Sequence, residues 1–171
     1  MKRVLLFLVV FFFAVGLHAQ QPRFTPTQSW VIIQAGRSAL SYEDLSTKTQ
    51  DFTLYFQSII YQESSFCRLK VGLDKTSYGC GQIQITTAEQ MGYTVSLMVL
   101  QMNVVLNLNI AATYLAYCIK QEKTWDRGIT CYNSGPVAAR SAPNWWIYRK
   151  DSYIRAIWKR KKELTAIQDT D

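Results

Sequence analysis

Apolar residues recur at helical spacing along most of this 171-residue chain. Phe52, Phe56, Ile59 and Ile60 lie at positions i, i+4, i+7 and i+8, which is the pattern of a helix with one buried face. Similar spacing predicts further helices over residues 30–40, 88–91, 97–120, 127–132 and 152–168. No long segment alternates apolar and polar residues as a half-buried strand would. We therefore predict a mainly α fold, with at most a minimal β element near residues 71–85.

Residues that start or stop helices refine these boundaries. Thr86 or Thr87 can cap the helix over 88–91, and Thr124 or Asp126 can cap the helix over 127–132, because short polar side chains accept hydrogen bonds from the first free amides of a helix. The Gly135-Pro136 pair is predicted to end the latter helix.

The N-terminus has the features of a secretory signal. Met1-Lys2-Arg3 is followed by an apolar run from Val4 to Leu17 and then by His18-Ala19. The run is shorter than the roughly 20 residues of a membrane-spanning helix. We predict a signal peptide over 1–19, a leader and first helix over 20–50, the main folded domain over 51–160, and a basic and polar tail over 161–171. An uncut N-terminal anchor is the alternative.

The histidine count excludes several kinds of chemistry. The one histidine, His18, lies in the predicted signal peptide. The mature part therefore has no Ser-His-Asp triad, no Cys-His pair and no histidine zinc site. Acid-base chemistry would fall to carboxyl, amine, phenol or thiol groups. Removing Lys2 and Arg3 lowers the net charge from +7 to +5, which favours encounter with anionic polymers without selecting one.

The four cysteines are all in the predicted mature part. An even number in an exported chain indicates two disulfides, for which three pairings are possible. The intervals 67–80 and 118–131 are equal, so we prefer the local pairs Cys67–Cys80 and Cys118–Cys131. Four buried free thiols are the alternative.

Glu63 is the candidate acid. It falls on the helical stripe that contains Phe52, Phe56, Ile59 and Ile60, at the C-terminal end of that stripe. Partial desolvation there would disfavour the carboxylate and raise the pKa of Glu63. Such a carboxylic acid can donate a proton at neutral pH. A Glu that merely caps the helix end or forms a salt bridge is the alternative.

Five short motifs occur in an order that resembles the soluble lytic transglycosylase family of lysozyme-like enzymes. They are Glu63-Ser64, residues 79–85 (GCGQIQI), the helix from Asn107 to Leu115, residues 131–136 (CYNSGP), and residues 153–157 (YIRAI). The resemblance runs from about Phe52 to Trp158 and implies a lysozyme-like fold. Gln82 and Ile83 replace the Leu and Met that are usual in the second motif.

The resemblance also implies a reaction and a set of site residues. Such enzymes cleave the β-1,4 bond between N-acetylmuramic acid and N-acetylglucosamine in peptidoglycan and leave a 1,6-anhydro end. Glu63 matches the catalytic acid, which later acts as base, and no cofactor or metal is implied. The residues carried over as substrate-binding or supporting are Ser64, Ser77, Gln84, Tyr132, Asn133 and Tyr153.

The expected roles of these residues differ. Ser64 should brace the helix end, Ser77 or Thr76 should contact the N-acetyl group, and Gln84 should face the glycan. Tyr132 should hydrogen-bond near the Glu63 carboxyl, Asn133 should hold sugar or the loop, and Tyr153 is expected to close the cleft or pack in the core. Trp145-Trp146 with Tyr148 offers faces for sugar stacking, or else anchors an irregular segment.

Ordinary glycosidases need two carboxylates, and Asp74 is the nearby candidate for the second. A solvated turn residue is the favoured interpretation of Asp74, since an internal hydroxyl and the substrate's own N-acetyl group can replace a second carboxylate.

Two alternatives remain open at this point: a goose-type-like lysozyme that uses water as the nucleophile, and a non-catalytic wall-binding module. The partners implied are peptidoglycan glycan strands and, by analogy with specialised wall-opening enzymes, an envelope-spanning secretion, conjugation or phage-entry assembly. Nucleic acid is not expected as a partner, nor is integral membrane insertion once the signal is cleaved. The expected location is periplasmic or secreted.

Overall fold

The chain is mainly helical where a computed structural model describes it, over residues 25–43, 49–144, 147 and 151–168. The helices in these ranges are α1 (Pro26–Glu43), α2 (Thr49–Ser64), α3 (Ile85–Gln90), α4 (Leu97–Met102), α5 (Val104–Glu122), α6 (Trp125–Ser141) and α7 (Ser152–Gln168). The prediction of a mainly α fold is confirmed. The predicted signal peptide, Trp145-Trp146 and Tyr148 lie outside the described residues.

Helix α5 is the central element of the fold. Its apolar side chains, among them Leu108, Ile110 and Leu115, are fully buried, and it packs against α1, α4 and α6. Helix α2 packs against α1 and α7. Burying a side chain of this size stabilises a fold by roughly 1.5–3 kcal/mol, so α5 provides the core on which the site is built.

Helix α2 carries the predicted apolar face and ends where the site begins. Phe52, Phe56, Ile59 and Ile60 are all 0% exposed. After Ser64 the next three residues, 65–67, have positive φ angles of 48°, 63° and 65°, a left-handed conformation that stops an α-helix. Glu63 therefore lies in the last turn of α2, with its apolar stripe behind it.

The predicted start of α3 and the predicted continuity of α4 and α5 are wrong. Helix α3 begins at Ile85, and Gln84 at its N-cap makes no side-chain capping bond, so Thr86 and Thr87 lie inside the helix. The predicted helix over 97–120 is divided at Asn103 (φ −90°, ψ 90°), whose side chain accepts a hydrogen bond from the Leu106 amide at 3.0 Å. This capping bond lets α5 begin as a separate helix.

The boundaries of α1 and α6 also differ from the prediction, whereas those of α7 agree with it. Helix α1 begins at Pro26, four residues before the predicted start. Thr124, not Asp126, caps α6 through a bond from the Arg127 amide at 3.4 Å. The helix runs past Gly135-Pro136 with a kink, because Gly135 adopts φ 82° and ψ 162°; the predicted end is a bend. Helix α7 has the predicted bounds.

The β content of the described residues is limited to two isolated antiparallel bridges. Val71 pairs with Tyr78, and Tyr78 pairs with Ile83. Both lie in the loop between α2 and α3, which the disulfide Cys67–Cys80 ties to the end of α2. A second disulfide, Cys118–Cys131, joins α5 to α6, so the preferred pairing is confirmed. Among the helices described, none is both long enough and apolar enough to cross a membrane.

Candidate active site

A cleft of about 590 Å³ opens beside the end of α2. Five of the predicted site residues line it: Glu63, Ser77, Gln84, Tyr132 and Asn133. The loop between α2 and α3 forms one wall, and residues of α5 and α6 form another. The structure thus brings side chains from four separate motifs to one concave surface.

The Glu63 carboxyl is perturbed by its surroundings. Burial raises the pKa of Glu63 to about 7, the hydrogen bond from Tyr153 opposes that rise, and the charge of Asp74 adds to it. Desolvation dominates because the apolar end of α2 provides few groups that could replace water around a carboxylate. Near neutral pH the group therefore exists in both protonation states, as a group that alternately gives and takes a proton requires.

A phenol from α7 contacts the acid. The Tyr153 hydroxyl donates a hydrogen bond to Glu63 Oε1, and Tyr153 is absent from the residues that line the cleft. The pKa of Tyr153 is well above its usual value, first because it is buried and then because of the nearby Glu63 carboxyl. A phenol that stays protonated is a permanent donor, so Tyr153 fixes the orientation of one carboxyl oxygen of Glu63.

Tyr132 hydrogen-bonds to the loop beside the cleft and not to the acid itself. Its hydroxyl donates to the Gly81 carbonyl at 2.8 Å, and the effect of the Glu63 charge on its pKa agrees with the predicted position near that carboxyl. Tyr132 lies at the cleft and is 8% exposed. Its pKa is well above the usual value, chiefly through burial and in part through Glu63. The phenol therefore fixes, at Gly81, the loop that lines the cleft together with Glu63.

Ser64 lies outside the cleft, which corrects its place among the substrate-binding candidates. It is 0% exposed. Its hydroxyl donates to the Ile60 carbonyl at 3.1 Å and accepts from the Cys67 amide at 2.9 Å. A buried hydroxyl with both roles filled cannot reach a ligand, so Ser64 braces the turn after α2.

A polar network lines the wall that carries Asp74. Asp74 Oδ2 accepts hydrogen bonds from the Thr76 hydroxyl at 2.6 Å and the Ser77 hydroxyl at 2.8 Å, and Oδ1 accepts from the amides of the same two residues at 3.0 and 3.1 Å. These bonds, the Thr76 hydroxyl first, lower the pKa of Asp74 to about 2. Gln84 Nε2 donates to Thr76 Oγ1 at 3.4 Å. The cleft thus contains one carboxyl of raised pKa and one that stays ionised.

The Asn107 side chain hydrogen-bonds to the backbone of the loop that forms this wall, a role that the sequence did not predict. The residue is 1% exposed. Its Oδ1 accepts from the Gly81 amide at 2.7 Å, and its Nδ2 donates to the carbonyls of Tyr78 and Leu100 at 2.8 and 3.0 Å. An amide at the start of a helix that is otherwise apolar on that face was the available signal.

The glycines of the loop are required by this close approach. A Cβ on Gly79 would lie 2.4 Å from Asn107 Nδ2, and Gly79 has φ +72°. A Cβ on Gly81 would lie 2.5 Å from the Cβ of Ala111. The backbone of the loop can rest directly on α5 only because both positions lack a side chain.

Tyr114 and Asn133 also line the cleft. Tyr114 lies within the third motif, and its hydroxyl donates to the Cys131 carbonyl at 3.3 Å. Asn133 is exposed, and its Nδ2 contacts the Ser134 hydroxyl at 3.1 Å. Within the described ranges no group of three or more His, Cys, Asp or Glu side chains could hold a metal ion.

The raised pKa of Glu63 predicts a cost in stability that depends on pH. Below pH 4.5 the carboxyl is protonated in both the folded and unfolded chain, and above about pH 7 the folded chain must hold a buried carboxylate. Folding stability should therefore fall as pH rises through this window, by up to about 3 kcal/mol. Urea unfolding at pH 4.5 and pH 8 should show this fall in the wild type and a smaller one in Glu63→Gln. Equal pH dependence of the two proteins would contradict the raised pKa.

Among the described residues, Glu63 is the glutamic acid that lines the cleft, and a mainly helical scaffold with such an acid is typical of lysozyme-like glycan-cleaving enzymes. The family described as the Transglycosylase SLT domain matches residues 45–147 of this chain. The chain therefore belongs to that family, as its five motifs predict. Searches of curated proteins and of solved structures found no match. Family membership indicates peptidoglycan lytic transglycosylase activity in general terms and an extracytoplasmic place of action.

Proposed function

We propose that this protein cleaves the N-acetylmuramic acid β-1,4-N-acetylglucosamine bond of peptidoglycan and forms 1,6-anhydro ends, with Glu63 as the sole proton-transfer residue. The observation that carries the proposal is the Glu63 carboxyl, whose pKa is raised to about 7 at the edge of a polar cleft. A glycosidic oxygen is a poor leaving group until it is protonated. An acid that is still partly protonated at neutral pH meets that requirement.

The proton transfers balance around this one group. Glu63 protonates the glycosidic oxygen, the C1–O bond breaks, and the N-acetylglucosamine side leaves as an alcohol. The positive charge at C1 is taken up by the acetamido oxygen of the muramic residue. Glu63, now a carboxylate, removes the proton from the C6 hydroxyl, whose oxygen bonds to C1 and releases the acetamido group. Glu63 ends protonated, and no water is consumed.

Tyr153 supports this cycle as a positioning residue. Since its hydroxyl donates to Glu63 Oε1, that oxygen is an acceptor in both protonation states. The exchanged proton then belongs on Oε2. A hydrogen bond to the carboxylate also offsets part of the desolvation, which keeps the pKa near neutrality where both transfers are feasible.

The remaining predicted residues have roles that follow from exposure and bonding. Gln84 and Asn133 are exposed at the cleft and offer amide groups to sugar hydroxyls. Ser77 lines the same cleft and is assigned to the N-acetyl group. Tyr132 acts through the loop that it holds at Gly81.

The mass of the products separates this proposal from a hydrolase of the same fold. Anhydro-muramic ends are lighter by one water than the reducing ends that a goose-type-like lysozyme leaves. Mass spectrometry of soluble muropeptides from digested peptidoglycan should therefore find anhydro ends as the main product. Reducing ends as the main product would contradict the proposal and favour a lysozyme. No release of muropeptides at all would favour a wall-binding module.

Tyr153→Phe should move the pH profile of the reaction toward alkaline pH. The substitution removes the hydrogen bond that lowers the pKa of Glu63 and leaves the desolvation that raises it. Glu63 then stays protonated to higher pH, so the pH at which kcat/KM halves on the alkaline side rises. Tyr61→Phe is the matched control, since Tyr61 lies on α2 and packs on Phe66. A Tyr153→Phe profile that coincides with the wild type would refute this role.

We further propose export to the periplasm or cell exterior through the signal over 1–19, which lies outside the described residues. A role in a secretion, conjugation or phage-entry assembly is proposed by analogy alone.

A further inference from the structure

Asp74 is exposed in the loop between α2 and α3, as expected of a solvated turn residue, and it makes four hydrogen bonds to only two residues. Its two oxygens accept from both the amides and the hydroxyls of Thr76 and Ser77. A carboxylate has about four acceptor positions, so all of them are used. No position is left for a nucleophilic or general-base role, and the pKa of about 2 keeps Asp74 charged.

The consequence is a defined polarity for the Ser77 hydroxyl. A hydroxyl has one proton and two lone pairs. The Ser77 proton is committed to Asp74 Oδ2 at 2.8 Å, so its oxygen can only accept a hydrogen bond from a ligand in the cleft. The Thr76 hydroxyl is committed in the same way, and it already accepts from Gln84.

We propose that Asp74 is a specificity-determining positioning residue, which fixes Ser77 as an acceptor for the N–H of a sugar acetamido group. This inference rests on the proposed function, because it concerns how the same cleft selects N-acetylated glycans. The acetamido group has one N–H donor and one carbonyl acceptor, and a hydroxyl free to rotate could meet either. A hydroxyl held by Asp74 meets the N–H alone. The acetamido carbonyl oxygen is then left free to reach C1, as the proposed cycle requires.

Asp74→Asn reverses this polarity with almost no change in shape. The asparagine Oδ1 can still accept from the two amides, whereas Nδ2 takes the place of Oδ2 and donates to the hydroxyls. The Ser77 hydroxyl then accepts from residue 74, and its proton points into the space that the acetamido N–H would occupy. Ser77→Ala removes the acceptor itself. If Asp74 acts through Ser77, the two substitutions must be coupled.

The test measures binding of the N-acetylglucosamine trimer by calorimetry in the Glu63→Gln protein, where cleavage and the effect of Asp74 on Glu63 are both removed. We expect the affinity to fall about tenfold on adding Asp74→Asn, and about tenfold on adding Ser77→Ala, as for one lost hydrogen bond to a charged or polarised group. The protein with both added changes should bind no more weakly than the weaker of the two. Asp51→Asn is the matched control for charge, because Asp51 is exposed at the other end of α2; it should stay within twofold.

Three results would overturn the proposal: unchanged affinity in Asp74→Asn, losses that multiply in the combined variant, or no trimer binding by Glu63→Gln itself. The glucose trimer, which lacks acetamido groups, should bind equally weakly with Asp or Asn at position 74. None of these measurements requires turnover. A failure of the proposed reaction, seen as reducing ends or as cleavage by Glu63→Gln, therefore remains distinct from a failure of the role of Asp74.

Discussion

Glu63→Gln should lower the release of soluble muropeptides from peptidoglycan by a factor of about 10² to 10⁴, the usual contribution of a general acid or base. Glutamine has nearly the same shape as glutamic acid and can still accept from Tyr153, but it can neither donate a proton to a leaving oxygen nor remove one from the C6 hydroxyl. Both halves of the proposed cycle depend on this group, so no other described carboxyl rescues it. Asp74 is ionised and saturated with hydrogen bonds.

The control is Glu89→Gln, which makes the same chemical change on an exposed residue of α3 and should leave activity within about twofold. Unfolding curves at pH 8 show whether Glu63→Gln is folded, and it should be at least as stable as the wild type there. Wall cleavage that survives Glu63→Gln at more than about a tenth of the wild-type rate would contradict general-acid catalysis by this residue.

Features that depend on one helix were predictable from the sequence. The apolar face of α2 and the position of Glu63 at its end follow from spacing alone, because a helix repeats its faces every 3.6 residues. The same holds for α7, whose bounds match the prediction. Ser64 shows the limit of adjacency in sequence. It follows Glu63 directly, yet a rotation of about 100° per residue turns it into the core, where it is 0% exposed.

Features that depend on how helices pack were not predictable in this way. Tyr132 and Tyr153 both match family motifs, and which phenol reaches Glu63 is decided by the packing of α7 against α2. The break between α4 and α5 lies within a segment that is apolar except for Gln101 and Asn103, where periodicity gives no signal. It is the Asn103 side chain that makes a new helix start there. Equal spacing of the cysteines predicts the two local disulfide pairs, and the structure contains the same pairs.

Asn107→Leu should destabilise the fold by on the order of 3 kcal/mol, because two buried backbone groups lose their partner, at a cost of about 1–3 kcal/mol each, and a third loses one of its two donors. The first two are the Gly81 amide and the Leu100 carbonyl, and the third is the Tyr78 carbonyl, which still accepts from the Ile83 amide at 2.9 Å. Leucine has the branched shape of asparagine with methyl groups in place of the polar atoms, so the side chain still fills the site while the hydrogen bonds are lost. The loss should appear in the free energy of unfolding measured with urea.

Asn109→Leu is the matched control, since Asn109 lies two residues further along α5 and is only partly buried; its effect should stay within about 0.5 kcal/mol. Asn107→Asp separates the two sides of the amide, because it keeps the acceptor for Gly81 and loses both donors. Its carboxylate would also face two carbonyl oxygens, so its loss of stability relative to the wild type should be larger at pH 8 than at pH 4. If Asn107→Leu unfolds within 1 kcal/mol of the wild type, the loop is held by the Cys67–Cys80 bridge and the Tyr132 phenol, and Asn107 contributes little to the wall of the cleft.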